Sequence, residues 1–411
     1  MSLMARIVKK FGGTSIGDIS RIKTAAQRVK EVFDQGSEVL VVVSAMSGWT
    51  DQVSGYCREM SSIYDAREYD SVVSSGEQIT AGLMSIALQD LGINSRSWNG
   101  WQIPIKTTSE HSNASIVDID TTELEKRMTA REVPVVTGFQ GIGPNNRITT
   151  LGKGGSDLTA VAMAAALGAE RCDIYTDVAG IYRADPRIVP FTTRHKKISF
   201  EEMLEMSILG AKVLHYKSVD LAMKMGVPLQ VLSSFENVPG TLIVGHDEMF
   251  EKDTISGIVL SANESKITLE GVKDEPGTVA AILAPLAGIR VKIGMIIQDV
   301  SKDGRITDVT FTVDRARLDE VEKLLNKAQP KIGFSKLTSD PDVVKVSVVG
   351  VAIQSNTERV KVMFDALAKN GINILAISTS EIKISVLVSG KFSELAVRTL
   401  HTAYGLDMIT K

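Results

Sequence analysis

Ile7-Val8-Lys9-Lys10-Phe11-Gly12-Gly13-Thr14-Ser15 is the stretch from which the fold can be read. A short apolar strand ends in a lysine and a glycine pair. A helical pattern follows, with Ile22, Ala25, Ala26, Val29, Val32 and Phe33 on one face. Strand, tight turn and helix in that order make one unit of an α/β layer. Glycines without side chains let backbone N–H groups approach an oxyanion, and a lysine adds a point charge. The helix would aim its positive end at the same place. On these residues alone, a strand-to-helix turn that uses glycine only for its geometry is the competing reading.

Outward from this stretch the pattern repeats to about residue 245. Glu38–Val43, Val133–Gly138, Arg171–Thr176 and Pro228–Leu232 read as strands; Thr80–Leu91 and Leu158–Leu167 read as helices. Such alternation predicts a mostly parallel sheet, which binds ligands at the carboxyl ends of its strands. Val43 runs into Ser44-Ala45-Met46-Ser47-Gly48 there, and Thr176 into Asp177-Val178-Ala179-Gly180.

A chain of 411 residues implies two or three domains. The apolar share of 44% and charged share of 23% are those of a globular protein, and a net charge of −3 argues against nucleic acid or an anionic membrane as partner. Cys57 and Cys172, without CxxC spacing, read as packing residues of a reduced compartment. The five histidines form no metal-ligand cluster. The first apolar run is only a strand's length and no run reaches the ~20 residues of a membrane span. A cytoplasmic protein is expected, with Met1-Ser2-Leu3 before Met4 read as a cloning remnant.

Beyond Gly245 the texture changes. His246 to Asp253 is polar and acidic, as in a linker. Then Ile267–Gly271, a helix near Thr278–Ala287, Val291-Lys292-Ile293 and Asp308–Val313 form one copy of a weak repeat. Val344–Gly350, a helix near Arg359–Lys369, Ile372-Asn373-Ile374 and Ile382–Val388 form the second. Each copy reads β-α-β-β-α-β, the ferredoxin-like unit. The pair resembles ACT domains; two modules used only for dimerisation are the alternative.

Four segments carry a more specific resemblance: Lys10-Phe11-Gly12-Gly13-Thr14-Ser15, Val43 to Asp51, Ser74-Ser75-Gly76-Glu77-Gln78, and Thr149 to Asp157 (Thr-Thr-Leu-Gly-Lys-Gly-Gly-Ser-Asp). With Ile174 to Tyr182, Ala184-Asp185-Pro186-Arg187 and Leu209 to His215, they resemble the aspartate kinases, in order and over essentially the whole chain. The resemblance implies an amino-acid-kinase sheet between helices over residues 4–245, a linker at 246–263, and ACT domains at 264–340 and 341–411. It implies ATP-dependent phosphorylation of the aspartate side chain to 4-phospho-L-aspartate, the first step towards lysine, threonine, methionine and diaminopimelate.

The residues suit that chemistry. Phosphoryl transfer proceeds by positioning and by cationic and N–H donors on the equatorial oxygens. A carboxylate acceptor is already nucleophilic at pH 7, so no Ser-His-Asp or Cys-His set is needed. No Walker A sequence is present. Lys10 is the candidate for the transferring phosphate, with the N–H groups of Gly12 and Gly13 beside it, and Asp157 would orient Lys10 or a magnesium-bound phosphate. Sequence alone leaves Glu77 open between a substrate site and a helix-start carboxylate. The resemblance implies that Glu77 pairs the substrate ammonium, with Thr50, Lys153 and Ser156 beside it. It implies nucleotide contacts at Lys10, Phe11, Gly12, Gly13, Ser44, Thr176, Asp177, Tyr182, Asp185, Arg187, Lys212 and Val213, with Mg2+ arriving on the ATP.

Two departures stand out. The family's arginine in Gly-Arg-Gly-Gly-Ser-Asp is Lys153 here, a point charge in place of a planar fork. The family's Leu-His-Pro-Arg is Leu214-His215-Tyr216-Lys217. A related kinase with another carboxylate acceptor, or a catalytically weakened amino-acid sensor, are the alternatives that Lys153 keeps open.

For regulation, the resemblance implies lysine, threonine or both at Asp274, Gly277 and Gln298 in the first ACT unit and at Asn373, Ile374, Ser380 and Glu381 in the second. The family's Ile-Asn-Val-Asp-Met-Ile has become Val291-Lys292-Ile293-Gly294-Met295-Ile296, and Val351 to Ser355 lacks the usual Met-Arg pair. A homodimer or larger oligomer joined through ACT units is expected. Some relatives of this short architecture also make a separate regulatory subunit from an internal start, and Met249 lies just before the repeat.

Overall fold

The structure, a computed structural model, describes residues 5–245, 255–289, 291–300, 306–351 and 353–407. Met1 to Met4, and His246 to Asp253 with Met249 among them, lie outside those residues. The chain divides into two units. Tyr182–Thr193 and Leu209–Ala211 belong with the described residues from 255 onward, and the rest of the chain up to 245 forms the first unit.

In chain order the first unit contains β1 (Arg6–Phe11), α1 (Ile19–Asp34), β2 (Glu38–Val43), α2 (Trp49–Met60), α3 (Ala66–Val73), α4 (Ser75–Asp90), β3 (Ser95–Trp98), β4 (Ile105–Thr107), β5 (Ile116–Ile119) and α5 (Thr122–Thr129). It continues with β6 (Val133–Thr137), β7 (Gln140–Ile142), β8 (Ile148–Thr150), α6 (Gly155–Ala166), β9 (Arg171–Thr176), β10 (Lys197–Ser199), α7 (Phe200–Leu209), α8 (Tyr216–Met225), β11 (Leu229–Ser233) and β12 (Thr241–Val244). Eight strands form the main sheet in the order β10-β12-β11-β9-β1-β2-β6-β3. Every pair from β11 to β3 is parallel; β12 alone runs antiparallel to its neighbour β11. β5-β4-β7-β8 make a separate small sheet.

β1 sits mid-sheet, and Ile7 to Phe11 are all buried, Lys9 and Lys10 included. On one face Ile22, Ala25, Ala26 and Val29 of α1 and Ala81, Met84 and Leu88 of α4 pack over Val39, Val41 and Val43. Alternation along the strand sends Lys9 towards that face and Lys10 towards the opposite one.

The second unit has β13 (Gly257–Lys273), α9 (Thr278–Ala287), β14 (Ile293–Val300), β15 (Ile306–Asp314), α10 (Leu318–Ile332), β16 (Lys336–Val349), α11 (Thr357–Lys369), β17 (Ala376–Ser380), β18 (Lys383–Ser389) and α12 (Ser393–Ala403). One antiparallel sheet runs β14-β15-β13-β16-β18-β17. The two β-α-β-β-α repeats are present, but each closes on a strand shared with the other. Lys336–Asp340 pairs with Lys266–Glu270 and closes the first repeat. Gly257–Ser261 pairs with Lys345–Val349 and closes the second. Residues 257–263, expected as linker, are therefore strand, because Val346 and Val348 need an apolar neighbour, which Ile258 supplies in the same core.

A further strand was expected at Ile372-Asn373-Ile374. Instead the Ile372 N–H donates to the Leu367 carbonyl at the end of α11, and β17 starts at Ala376. Capping the helix takes the backbone group that strand pairing would need. Ala184 and Val189, from the part of the chain expected in the catalytic domain, pack in this second core. The Arg183 carbonyl there accepts the Ile258 N–H at 2.6 Å.

Candidate active site

The carboxyl ends of β1, β2 and β6 converge at a cavity of about 340 Å³ in the first unit. The Ser44 N–H donates to the Phe11 carbonyl, and the Gly138 N–H to the Val43 carbonyl, so the three strand ends are tied together. Three helices begin at the cavity: α2 after Gly48, α6 after Gly154, and α4 at Ser75. Gly48 and Gly154 hold φ of +81° and +76° and contribute no side-chain cap. Each leaves the first N–H groups of its helix pointing towards whatever the cavity holds.

Lys10 points from β1 to Asp157 in the first turn of α6. Nζ and Oδ1 are 2.5 Å apart, and both residues are about nine-tenths buried, at 8% and 9% exposure. Gly13 is required by packing, since a Cβ would fall 2.9 Å from the Ala45 carbonyl oxygen. At Gly154 a Cβ would fall 2.3 Å from that of His215. Gly12 departs from expectation: its N–H donates to the Tyr175 carbonyl at 3.1 Å, and Ser15 Oγ donates to the same oxygen. The Gly12 N–H is thus committed to β9, which leaves Gly13 to face an anion.

Glu77 enters from α4. Gly76 lets the helix approach closely, because a Cβ there would meet both Ala45 and Trp49 at 2.6 Å. Glu77 is 3% exposed; its Oε1 accepts the Ala45 N–H at 3.0 Å, while Oε2 is buried with no hydrogen-bond partner. Burial pushes this carboxyl up to about 7, against the opposing effect of the Ala45 N–H and the residue's own N–H. A buried carboxylate with a free oxygen beside a cavity suits a cation. Thr50, Lys153 and Ser156 line the same cavity, and Lys153 is exposed, with no ion pair among the described residues.

The structure brings together Lys10, Gly13, Ser44, Thr50, Glu77, Lys153, Ser156 and Asp157. It does not bring in Phe11, which is fully buried and stacks on Tyr175 at 4.7 Å between ring centres. Thr176 ends β9, with its hydroxyl donating to Asp177 at 3.2 Å. Lys212 and Val213 lie in the bend between α7 and α8. Gly210 at φ +119° breaks the helix before them, and His215 caps α8 by accepting the Lys217 N–H. Tyr182, Asp185 and Arg187 belong to the second unit, where Arg187 pairs with Asp185 at 2.6 Å. No group of three or more potential metal ligands occurs among the described residues.

Sequence reasoning missed Lys9. It is 1% exposed, 2.8 Å from the Tyr175 hydroxyl and 3.5 Å from Asp173 Oδ2. The period-two alternation of a doubly covered strand was the available signal. His215, just before α8, is half-buried. Burial and the nearby Lys217 hold its imidazole below the ordinary range, consistent with Nδ1 accepting the Lys217 N–H.

Among the expected effector residues, Gln298 Nε2 donates to Asp274 Oδ1 at 3.1 Å, and Gly277 starts α9 at φ +97°. Asn373 and Ile374 precede β17, whereas Ser380 ends it and Glu381 follows. Gly294 stands where the family carries aspartate, and a Cβ there would lie 2.2 Å from Thr312 Oγ1. A side chain at that position would require Thr312 to shift.

Residues 5–233 match the amino acid kinase family, and residues 267–329 and 346–404 each match the ACT domain. The chain is 47% identical over 407 residues to the aspartate kinase of Pseudomonas fluorescens (strain SBW25), covering 98% of each. A crystal structure of E. coli aspartokinase III in complex with aspartate and ADP (R-state) superposes with a TM-score of 0.82 at 24% identity, covering 97% of this chain and 99% of that one. The same enzyme in complex with lysine and aspartate (T-state) gives 0.76 at 25% identity, over 96% and 98%. Among the described residues, no helix is long and apolar enough to cross a membrane.

Proposed function

From the premise that this chain belongs to the aspartate kinase family, we propose that it transfers the γ-phosphoryl group of ATP to the side-chain carboxylate of L-aspartate. A carboxylate oxygen attacks the γ-phosphorus, the bond to the β-phosphate oxygen breaks, and ADP leaves with that electron pair. No proton need move, so the site requires no general base. The product, 4-phospho-L-aspartate, is an activated acyl phosphate that commits aspartate towards lysine, threonine and methionine.

The observation that carries the reading is Glu77 Oε2, buried and unpartnered beside the cavity that Lys153 also lines. An α-amino acid places an ammonium and a carboxylate on one carbon. Glu77 would take the first and Lys153 the second, leaving the side chain free to point at the Lys10–Asp157 pair. Lys10, the Gly13 N–H and the start of α6 would stabilise charge on the transferring phosphoryl group. Magnesium would arrive with the nucleotide, held by phosphate oxygens and at most a carboxylate or two, for which Asp157 is the nearest candidate. On the nucleotide side the proposal rests on Ser44, Thr176, Asp177, Lys212 and Val213 of the first unit.

The second unit would bind lysine, threonine or both, with Asp274 and Gln298 in the first ACT unit. An assembly through ACT units, at least a dimer, goes with that regulation. A coupled ADP-release assay with aspartate, glutamate and N-acetylglutamate tests the central reading. Aspartate-dependent turnover supports it; preference for another acceptor, or no turnover with any of the three, overturns it.

A further inference from the structure

Asp70 lies on α3, is not among the residues that line the cavity, and is fully buried. Burying an ionised carboxylate is costly unless its oxygens are hydrogen-bonded, and here both oxygens are. Oδ1 accepts from Thr150 Oγ1 at 2.7 Å and Ser112 Oγ at 3.2 Å. Oδ2 accepts the Thr150 N–H at 3.0 Å and meets His111 Nδ1 at 2.8 Å. The Ser112 N–H is shared between the two oxygens at 3.1 and 3.0 Å. The donors come from two separate segments, the loop through His111 and Ser112 and the end of β8.

Both segments lead to the cavity. Thr150 is three residues before Lys153, and the Ala114 N–H donates to the Thr150 carbonyl. Gly152, at φ +75°, passes so close to the loop that a Cβ would sit 3.0 Å from the Ser112 carbonyl oxygen. In the other direction, the Asp70 carbonyl accepts the Ser74 N–H where α3 meets α4, and Glu77 lies three residues further on. One residue thus ties the wall carrying Glu77 to the wall carrying Lys153.

We infer that Asp70 is a positioning residue that sets the separation of Glu77 and Lys153, and through it the affinity for the amino-acid substrate. This rests on the reading of those two residues given above. The side chain has to be an aspartate, since its neighbours present several donors and only a carboxylate offers acceptors on both oxygens. An asparagine would turn N–H groups towards N–H or O–H donors on one side and release one of the two segments.

The test is steady-state kinetics of the full-length protein with aspartate and ATP varied separately, for Asp70→Asn, Thr150→Val and Ser112→Ala. Asp70→Asn should raise the KM for aspartate about tenfold or more, with kcat and the KM for ATP within about twofold. Thr150→Val and Ser112→Ala, each losing one hydroxyl donor, should raise it roughly threefold to fivefold in the same selective way. A merely structural role would raise both KM values or lower kcat alone. Either pattern overturns the inference, as does an aspartate KM within about twofold of wild type in all the variants that fold. If Asp70→Asn does not fold, the two hydroxyl variants decide. Wild type that ignores aspartate but uses another amino acid refutes the proposed reaction, and the same ratio is then read on that acceptor. Wild type with no amino-acid turnover refutes both.

Discussion

Lys10 Nζ and Asp157 Oδ1 lie 2.5 Å apart across the face of β1 that meets α6, and each residue is about nine-tenths buried. A buried pair is weak evidence of stability, since burying both charges offsets much of their attraction. Its place among glycine-started helices points to chemistry instead. Lys10→Met should lower kcat about 10²–10³-fold, the usual loss when one charge-stabilising donor is removed. The KM for aspartate should stay within about threefold. Stopped-flow or coupled assays on purified protein check this, and a parallel loss in aspartate affinity would move Lys10 out of the phosphoryl-transfer role.

Glu77 gives a pH prediction with a definite sign. Its folded carboxyl is pushed up to about 7 from an unfolded value near 4.5. Its favourable contribution to stability is complete below about 4.5 and is lost as pH rises through about 7. Binding an ammonium needs the ionised form, so the KM for aspartate should climb as pH falls below about 7. Glu77→Gln should bind aspartate poorly at every pH and remove that slope. The same variant should melt above wild type at pH 8, and the gap should close by pH 5. A wild-type KM flat from pH 6 to 8 would count against the ammonium role.

Lys153 lines the cavity as a single exposed ammonium without an ion-pair partner among the described residues. Lys153→Arg would supply the planar two-point fork that matches a carboxylate. The expected result is a KM for aspartate lowered about threefold to tenfold, with kcat little changed. An unchanged or lower kcat/KM would show that Lys153 does not hold the substrate carboxylate.

Gly154 is a stability prediction. At φ +76° a side chain costs roughly 1–2 kcal/mol from backbone conformation alone. The clash with His215 adds to that. Gly154→Ala should therefore lower the melting temperature and disturb the start of α6. Gly168→Ala provides the control, because it has a similar positive φ but nothing within 4 Å of its Cβ position.

The catalytic core was legible because its marks are local. A lysine near a strand's end, paired glycines, and carboxylates in first helical turns (Glu77, Asp157) each declare themselves within a few residues. What stayed hidden depends on partners far along the chain. The Gly12 N–H reads as a phosphate donor until Tyr175, on a strand far along the chain, is found to accept it. Gly257–Ser261 reads as linker because its pairing partner is Lys345–Val349. Tyr182–Thr193 carries family-like residues in chain order, yet its Ala184 and Val189 bury with Val346 and Val348. Period and composition record which face is apolar, not which distant strand covers it.

The second unit yields the last prediction. Asp274 and Gln298 are joined by a 3.1 Å hydrogen bond, bringing an acidic side chain and an edge strand to one place. A zwitterion needs a carboxylate for its ammonium and N–H donors for its own carboxylate, and this corner of the sheet offers the former. A ligand that binds only the folded protein adds about 2.7 kcal/mol at a hundred times its Kd. Millimolar lysine or threonine, or the two together, should therefore raise the melting temperature measurably. Asp274→Ala should remove that rise while leaving aspartate turnover without effector unchanged. Lys292 and Gly294 replace the asparagine and aspartate that the family resemblance leads one to expect, and a side chain at Gly294 would have to displace the Thr312 hydroxyl. Gly294→Asp should consequently destabilise the second unit rather than strengthen effector binding. A melt flat in both amino acids would sink the effector site.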